Sequence, residues 1–222
     1  MPRRTARAIV ALVLAAGATA GGDLGQIAAT FAANREKLRE YGWKSSTELV
    51  LDGETQDAHV YDVRYDSRGE ILRTPARDEP AFAKGPRRTR SKKLRQQEEL
   101  LENLRRLIES YVQPDPRTAK QLYADATVWQ GDARAEGVTR VQARNVLRQG
   151  DEVSLWLDSL TRLPQRLQIL TSFGGEPVKA STEFQTLAAG PFYPARVVVE
   201  TEIKERKLVF TTRNFDFHPH GG

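Results

Sequence analysis

Hydrophobic positions first recur at helical spacing. Leu24, Ile27, Ala28, Phe31, Leu38 and Tyr41 keep close to one stripe, and Asp23 stands where an N-cap belongs. A first helix is therefore expected through Arg39, ended by Gly42. From Trp43 the period changes to two: Trp43, Ser45, Thr47, Leu49 and Leu51 fall on one face, while Lys44, Ser46, Glu48 and Asp52 fall on the other. A turn at Gly53 leads to a second strand, with His59, Tyr61, Val63 and Tyr65 on one face. Asp66-Ser67-Arg68-Gly69 then turns the chain into a short third strand over Glu70 to Thr74. Turns this short make the three strands an antiparallel meander.

Periodicity then disappears. Residues 75–90 carry Pro75, Pro80, Gly85 and Pro86 and read as a linker. A helical insert is expected over 91–124. Its first helix runs from about Ser91 to Val112 with one apolar stripe, Leu94, Leu101, Leu104, Ile108 and Tyr111. Pro114-Asp115-Pro116 breaks it, and Asp115 can cap a short second helix through Leu122 and Tyr123. From Gly137 the period-two pattern returns as six candidate strands: Val138 to Leu147, Glu152 to Ser159, Leu163 to Phe173, Val178 to Thr186, Ala195 to Ile203 and Leu208 to Phe217. The connections are too short for parallel crossovers, so the nine strands form an antiparallel sheet with one dry face and one wet face.

Composition changes this picture at the N-terminus. Arg3, Arg4 and Arg7 precede an apolar run from Ala8 to Ala16, and Ala18-Thr19-Ala20 supplies the small residues of a cleavage site. Residues 1–20 therefore read as a secretory signal cleaved after Ala20, and 21–222 as a single exported, periplasmic domain. Removing three of the 34 basic residues leaves 31 against 29 acidic ones, a balance of +2 rather than +5. That excludes a strongly basic nucleic-acid binder. Cysteine is absent from all 222 residues, so neither a disulfide framework nor a cysteine-ligated zinc is available.

The residues carry little that is catalytic. No nucleophile elbow, phosphate loop, dinucleotide fingerprint or metalloprotease motif occurs. His59, His218 and His220 lack further ligands at fixed spacing, so neither metal nor cofactor is expected, and no enzyme. One charge run stands out: Arg87, Arg88, Arg90, Lys92, Lys93 and Arg95 place six basic residues within nine positions. It is either a contact for an anionic membrane surface or acidic partner, or a solvated arm balanced by Glu98, Glu99 and Glu102.

Three local phrases resemble a known family. Ser154-Leu155-Trp156-Leu157-Asp158 followed by Leu163-Pro164-Gln165-Arg166-Leu167, then Phe192-Tyr193-Pro194-Ala195-Arg196-Val197, and Tyr41, Trp43, Lys44, Thr47 and Glu48 near the start are similar to the bacterial LolA/LolB-like superfamily of periplasmic lipoprotein carriers, in an uncharacterised exported branch. The resemblance implies an α+β fold, an unclosed antiparallel β-barrel made of a curved sheet of about nine strands, with helices covering its concave face. It implies a lipid or acylated protein as partner, held by its acyl chain. The apolar face of the sheet supplies candidate lining residues: Trp43, Leu49, Tyr61, Leu155, Leu167, Ile169, Phe184 and Val199. A filled core on that face, in an envelope scaffold or sensor that binds a protein without cargo, is the alternative.

Overall fold

A computed structural model describes residues 27, 29–76, 92–112, 127–132, 135–188, 190–203 and 205–219. The signal segment, the Asp23 cap, Arg87, Arg88, Arg90 and the short helix after Asp115 lie outside the described residues. Two helices are described: α1 over 29–38, and α2, Lys92–Val112, whose first residues include Lys92, Lys93 and Arg95. Ten strands follow the order β1 Tyr41–Leu51, β2 Glu54–Tyr65, β3 Ile71–Pro75, β4 Thr127–Asp132, β5 Ala135–Arg144, β6 Glu152–Asp158, β7 Pro164–Phe173, β8 Glu176–Thr186, β9 Phe192–Ile203 and β10 Arg206–Pro219.

All ten form one antiparallel sheet in the order β3-β2-β1-β10-β9-β8-β7-β6-β5-β4. The N-terminal meander joins the C-terminal one through β1 and β10, which pair from Tyr41↔Pro219 to Leu51↔Leu208. Among the described residues β3 and β4 do not pair with each other, so the sheet is not closed. It is nevertheless curved. Glu109 and Tyr111 of α2 contact Arg73 of β3 and Thr171 of β7, respectively. Those strands are six steps apart, close to 29 Å in a flat sheet at about 4.8 Å per step. Two residues of one helix reach both only if the sheet bends.

The period-two reading holds for β1, β2 and β6 to β10, with differences at three places. β3 starts one residue later than expected because Asp66 organises the turn: its carboxylate accepts the amides of Arg68 at 2.8 Å and Glu70 at 2.9 Å. Gly69 closes that turn at φ +79°, and a Cβ there would lie 2.9 Å from the Arg39 guanidinium. β4, beginning at Thr127, is an additional strand that pairs with β5. β5 ends at Arg144 rather than Leu147. The Asp151 carboxylate takes the amides of Leu147 at 3.3 Å and Arg148 at 2.7 Å, which turns the backbone away from the ladder.

The inner face divides into two kinds of cross-strand row. One row, Ala143–Val153–Ile169–Ala180–Val199–Phe210–Leu49, is apolar across seven strands. With Leu155, Leu157 and Leu167 it forms the larger core, onto which Leu104, Leu107, Ile108, Tyr111 and Val112 of α2 pack. The adjacent row begins as Val141–Leu155–Leu167 and then runs Thr182–Val197–Thr212–Thr47. A second cluster, Leu38, Trp43, Val63 and Tyr65, sits under the end of α1. Outside, Trp156 lies between the guanidiniums of Arg140 and Arg166, each 5.2 Å from its ring.

Candidate ligand-binding cleft

Where the second row is threonine at β10 and β1, space opens between the sheet and α2. A cleft of about 790 Å³, including the part open to solvent, lies between α2 and strands β1, β2, β3, β9 and β10. Its floor is Ser45 and Thr47 of β1 beside Asn214 and Thr212 of β10, paired in register as Ser45↔Asn214 and Thr47↔Thr212. These side chains are shorter than the leucine and phenylalanine that occupy the neighbouring row, so they leave space beneath the helix. Asn214 Nδ2 donates to the Pro194 carbonyl at 2.7 Å, which satisfies the amide within the floor.

One end of the cleft is aromatic. Trp43 stacks on Phe217 at 5.5 Å and 11°, lies 5.6 Å from Tyr65, and Phe217 in turn meets Tyr193 at 4.2 Å. The roof is Ile108 and Val112. Charge enters from the side: Arg73 of β3 pairs with Glu109, and Arg105 lies 5.1 Å above the Phe210 ring while its Nη1 donates to Glu102 Oε2 at 3.1 Å. Burial, and secondarily the neighbouring Arg73 guanidinium, holds the Arg105 pKa below the ordinary arginine value.

Polar contacts fix the height of the roof. At the end of α2 the Tyr111 hydroxyl donates to the Asp151 carboxylate, which is 2% exposed and also accepts Thr171 Oγ1 at 2.6 Å. α1 is fixed by Asn34, whose Nδ2 donates to the Phe192 carbonyl at 2.8 Å and whose Oδ1 accepts the Phe192 amide at 2.8 Å.

The structure places the eight sequence candidates in three settings. Trp43 and Val199 line the cleft. Leu155, Leu167 and Ile169 lie in the larger core, Ile169 at 0% exposure, with Leu49 and Phe184 packed against it. Tyr61 packs against the Trp43 cluster. Arg73, Arg105, Glu109 and the Ser/Thr/Asn floor were not singled out by sequence. The nearest signal was the pair Arg105 and Glu109, four residues apart and flanking the apolar stripe of α2. Among the described residues no group of three His, Cys, Asp or Glu side chains is placed to hold a metal ion.

No protein-family model matches the chain, and no curated protein does. Among solved structures the chain is similar to a LolA superfamily protein from Nitrosomonas europaea, at 11% identity and a TM-score of 0.40, over 87% of this chain and 94% of the other. A second likeness is to MucB, solved in complex with MucA(peri), at 12% identity and a TM-score of 0.24, over 88% of this chain and 100% of that one.

Proposed function

We propose that the protein is an exported, periplasmic binding protein that holds an acyl chain of a lipid or lipoprotein in this cleft, with α2 covering the concave face of an open half-barrel. The observation that carries the reading is the change in the second inner row. Seven strands of regular register would allow a filled core throughout, yet at β10 and β1 the row is threonine, and a cleft opens there. Its lining is apolar with a few placed polar groups, as in small-molecule sites. Trp43 and Val199 remain assigned to the ligand, joined by Ile108, Val112 and Phe217. Leu155, Leu167 and Ile169 support the wall from behind.

A fluorescent fatty-acid probe tests this. It should bind saturably with one site per chain, and Thr47→Trp should abolish binding by filling the cleft while keeping the β-rich circular dichroism. A probe that binds the Thr47→Trp protein as well as the parent removes the cleft as the site. Failure of every acyl probe leaves the envelope scaffold without cargo.

A further inference from the structure

We propose that the cleft selects amphiphiles with an anionic head, carboxylate or phosphate, and that Arg105 receives that head with Arg73 behind it. This rests on the cleft being an acyl-chain site and adds what the other end of the ligand must be.

The argument starts from the charge count around α2. Glu102 is shared: its Oε2 accepts Arg105 Nη1 and its Oε1 accepts Arg106 Nε, both at 3.1 Å. Glu109 is taken by Arg73. Among the described residues three guanidiniums thus stand against two carboxylates in this hydrogen-bonded cluster, an excess of one positive charge. Of the three, Arg105 has the most buried side chain, at 18% exposure against 24% for Arg73 and 71% for Arg106. It lines the cleft together with Arg73.

Arg105 is also only partly used. A guanidinium has five N–H donors, and among the described residues the one hydrogen bond of Arg105 is to Glu102. Its guanidinium carbon lies over the Phe210 ring, 5.1 Å from the centroid. An oxyanion can therefore take the remaining edge in the forked geometry that carboxylates and phosphates share, without breaking the Glu102 pair. Thr212 lies two residues along β10 from Phe210, on the same face, and adds a hydroxyl to the floor. The apolar chain would then run toward Trp43 and Phe217. A neutral amphiphile gains the apolar contacts but leaves the remaining donors of the partly desolvated cation without an acceptor.

The test is competition against a neutral fluorescent acyl ester, below micellar concentrations, using hexadecanoate, hexadecyl phosphate, hexadecanol and methyl hexadecanoate. The two anions should bind at least about ten-fold more tightly than the two neutral compounds, the order of one charge-assisted hydrogen bond. That ratio should fall toward one in Arg105→Gln and persist in Arg196→Gln, a change on the outer face. Which anion binds more tightly identifies the head as carboxylate or phosphate. Equal binding of acid and alcohol by the parent protein overturns the anionic-head proposal and leaves the acyl site standing. Competition by none of the four overturns both. The parent comparison needs no variant, so it decides even if Arg105→Gln fails to fold.

Discussion

Removing one hydroxyl should loosen the roof of the cleft. Tyr111→Phe keeps the ring that packs in the core, 2% exposed, and deletes only the hydroxyl, which donates to Asp151 and lies 3.2 Å from Thr171 Oγ1. Asp151 retains Thr171 Oγ1 and the amides of Leu147 and Arg148, so the carboxylate is weakened in its solvation and not orphaned. A hydrogen bond to a charged group is worth about 1.5–3 kcal/mol, and a loss near 2 kcal/mol is expected here. For a chain of this size that is roughly 4–8 °C in melting temperature. Urea titration followed by tryptophan fluorescence gives the free energy directly. Asp151→Asn combined with Tyr111→Phe should cost less than the two single changes summed, because both act on one bond. Burial, followed by the Asp151 hydrogen bond, pushes the Tyr111 pKa up. The neutral phenol is thus favoured in the fold; its contribution is complete below the unfolded value of about 10 and is lost as pH rises above it. The parent should therefore show an alkaline loss of stability that the Phe variant lacks in part. A Tyr111→Phe cost under about 0.5 kcal/mol, no more than an ordinary surface substitution, would refute the clamp.

Three further outcomes are expected. Leu155→Glu places an unpaired charge in the closed core and should cost several kcal/mol and unfold the sheet; retained β-rich circular dichroism with lost acyl binding would instead put Leu155 at the ligand. Asp52 is held below its usual pKa first by Arg206, Asp66 by the Glu70 amide, and Asp158 by the Thr161 amide. Depressed carboxylates stabilise above their unfolded pKa and lose that contribution as pH falls through the folded value, so urea midpoints should drop below about pH 4, less steeply in Asp66→Ala. Changing Arg87, Arg88, Arg90, Lys92 and Lys93 to Gln should abolish binding to anionic vesicles, which in the parent weakens steeply with salt, and leave the melting temperature nearly unaltered; vesicle binding equal to the parent's would make the arm a solvated one.

Legibility followed the range of each signal. Alternation in β1, β6, β7 and β8 is local, and it put Trp43, Leu155, Ile169 and Val178 on their buried faces. The apolar stripe of α2 was equally readable at Leu104, Ile108 and Tyr111. The cleft was not, because its floor is made by β1 beside β10, strands whose facing floor residues, Ser45 with Asn214 and Thr47 with Thr212, are far apart in the chain. Period two says which face a residue takes; it does not say which strand will stand beside it. Ser45 and Thr47 therefore looked like tolerable gaps in an apolar face. Only next to Asn214 and Thr212 do they become a polar floor. Asp151 escaped notice for a similar reason, since a carboxylate in a Gln-Gly-Asp turn reads as solvated until Tyr111 arrives from a helix forty residues earlier.

A gap beneath a helix usually closes, because lowering the helix recovers contacts that an empty volume forfeits. Here α2 cannot sink without breaking polar pairs along its length. Tyr111 is tied to Asp151 and Thr171 at its end, Glu109 to Arg73 on the edge strand, and Arg105 rests on Phe210. Leu104, which is 2% exposed, and Leu107 meanwhile pack into the larger core beside the cleft. The helix is thus a beam supported by apolar packing on one side and by charged or hydroxyl contacts on the other, bridging the threonine floor between them. Collapse would have to drag Asp151 out of its ring of donors or bury Arg105 against Thr47 and Thr212 with a charge unmatched. Both cost more than a few lost van der Waals contacts return. Of the groups that keep the space open, Arg105 and Arg73 line it, and in the proposal above they meet the anionic head.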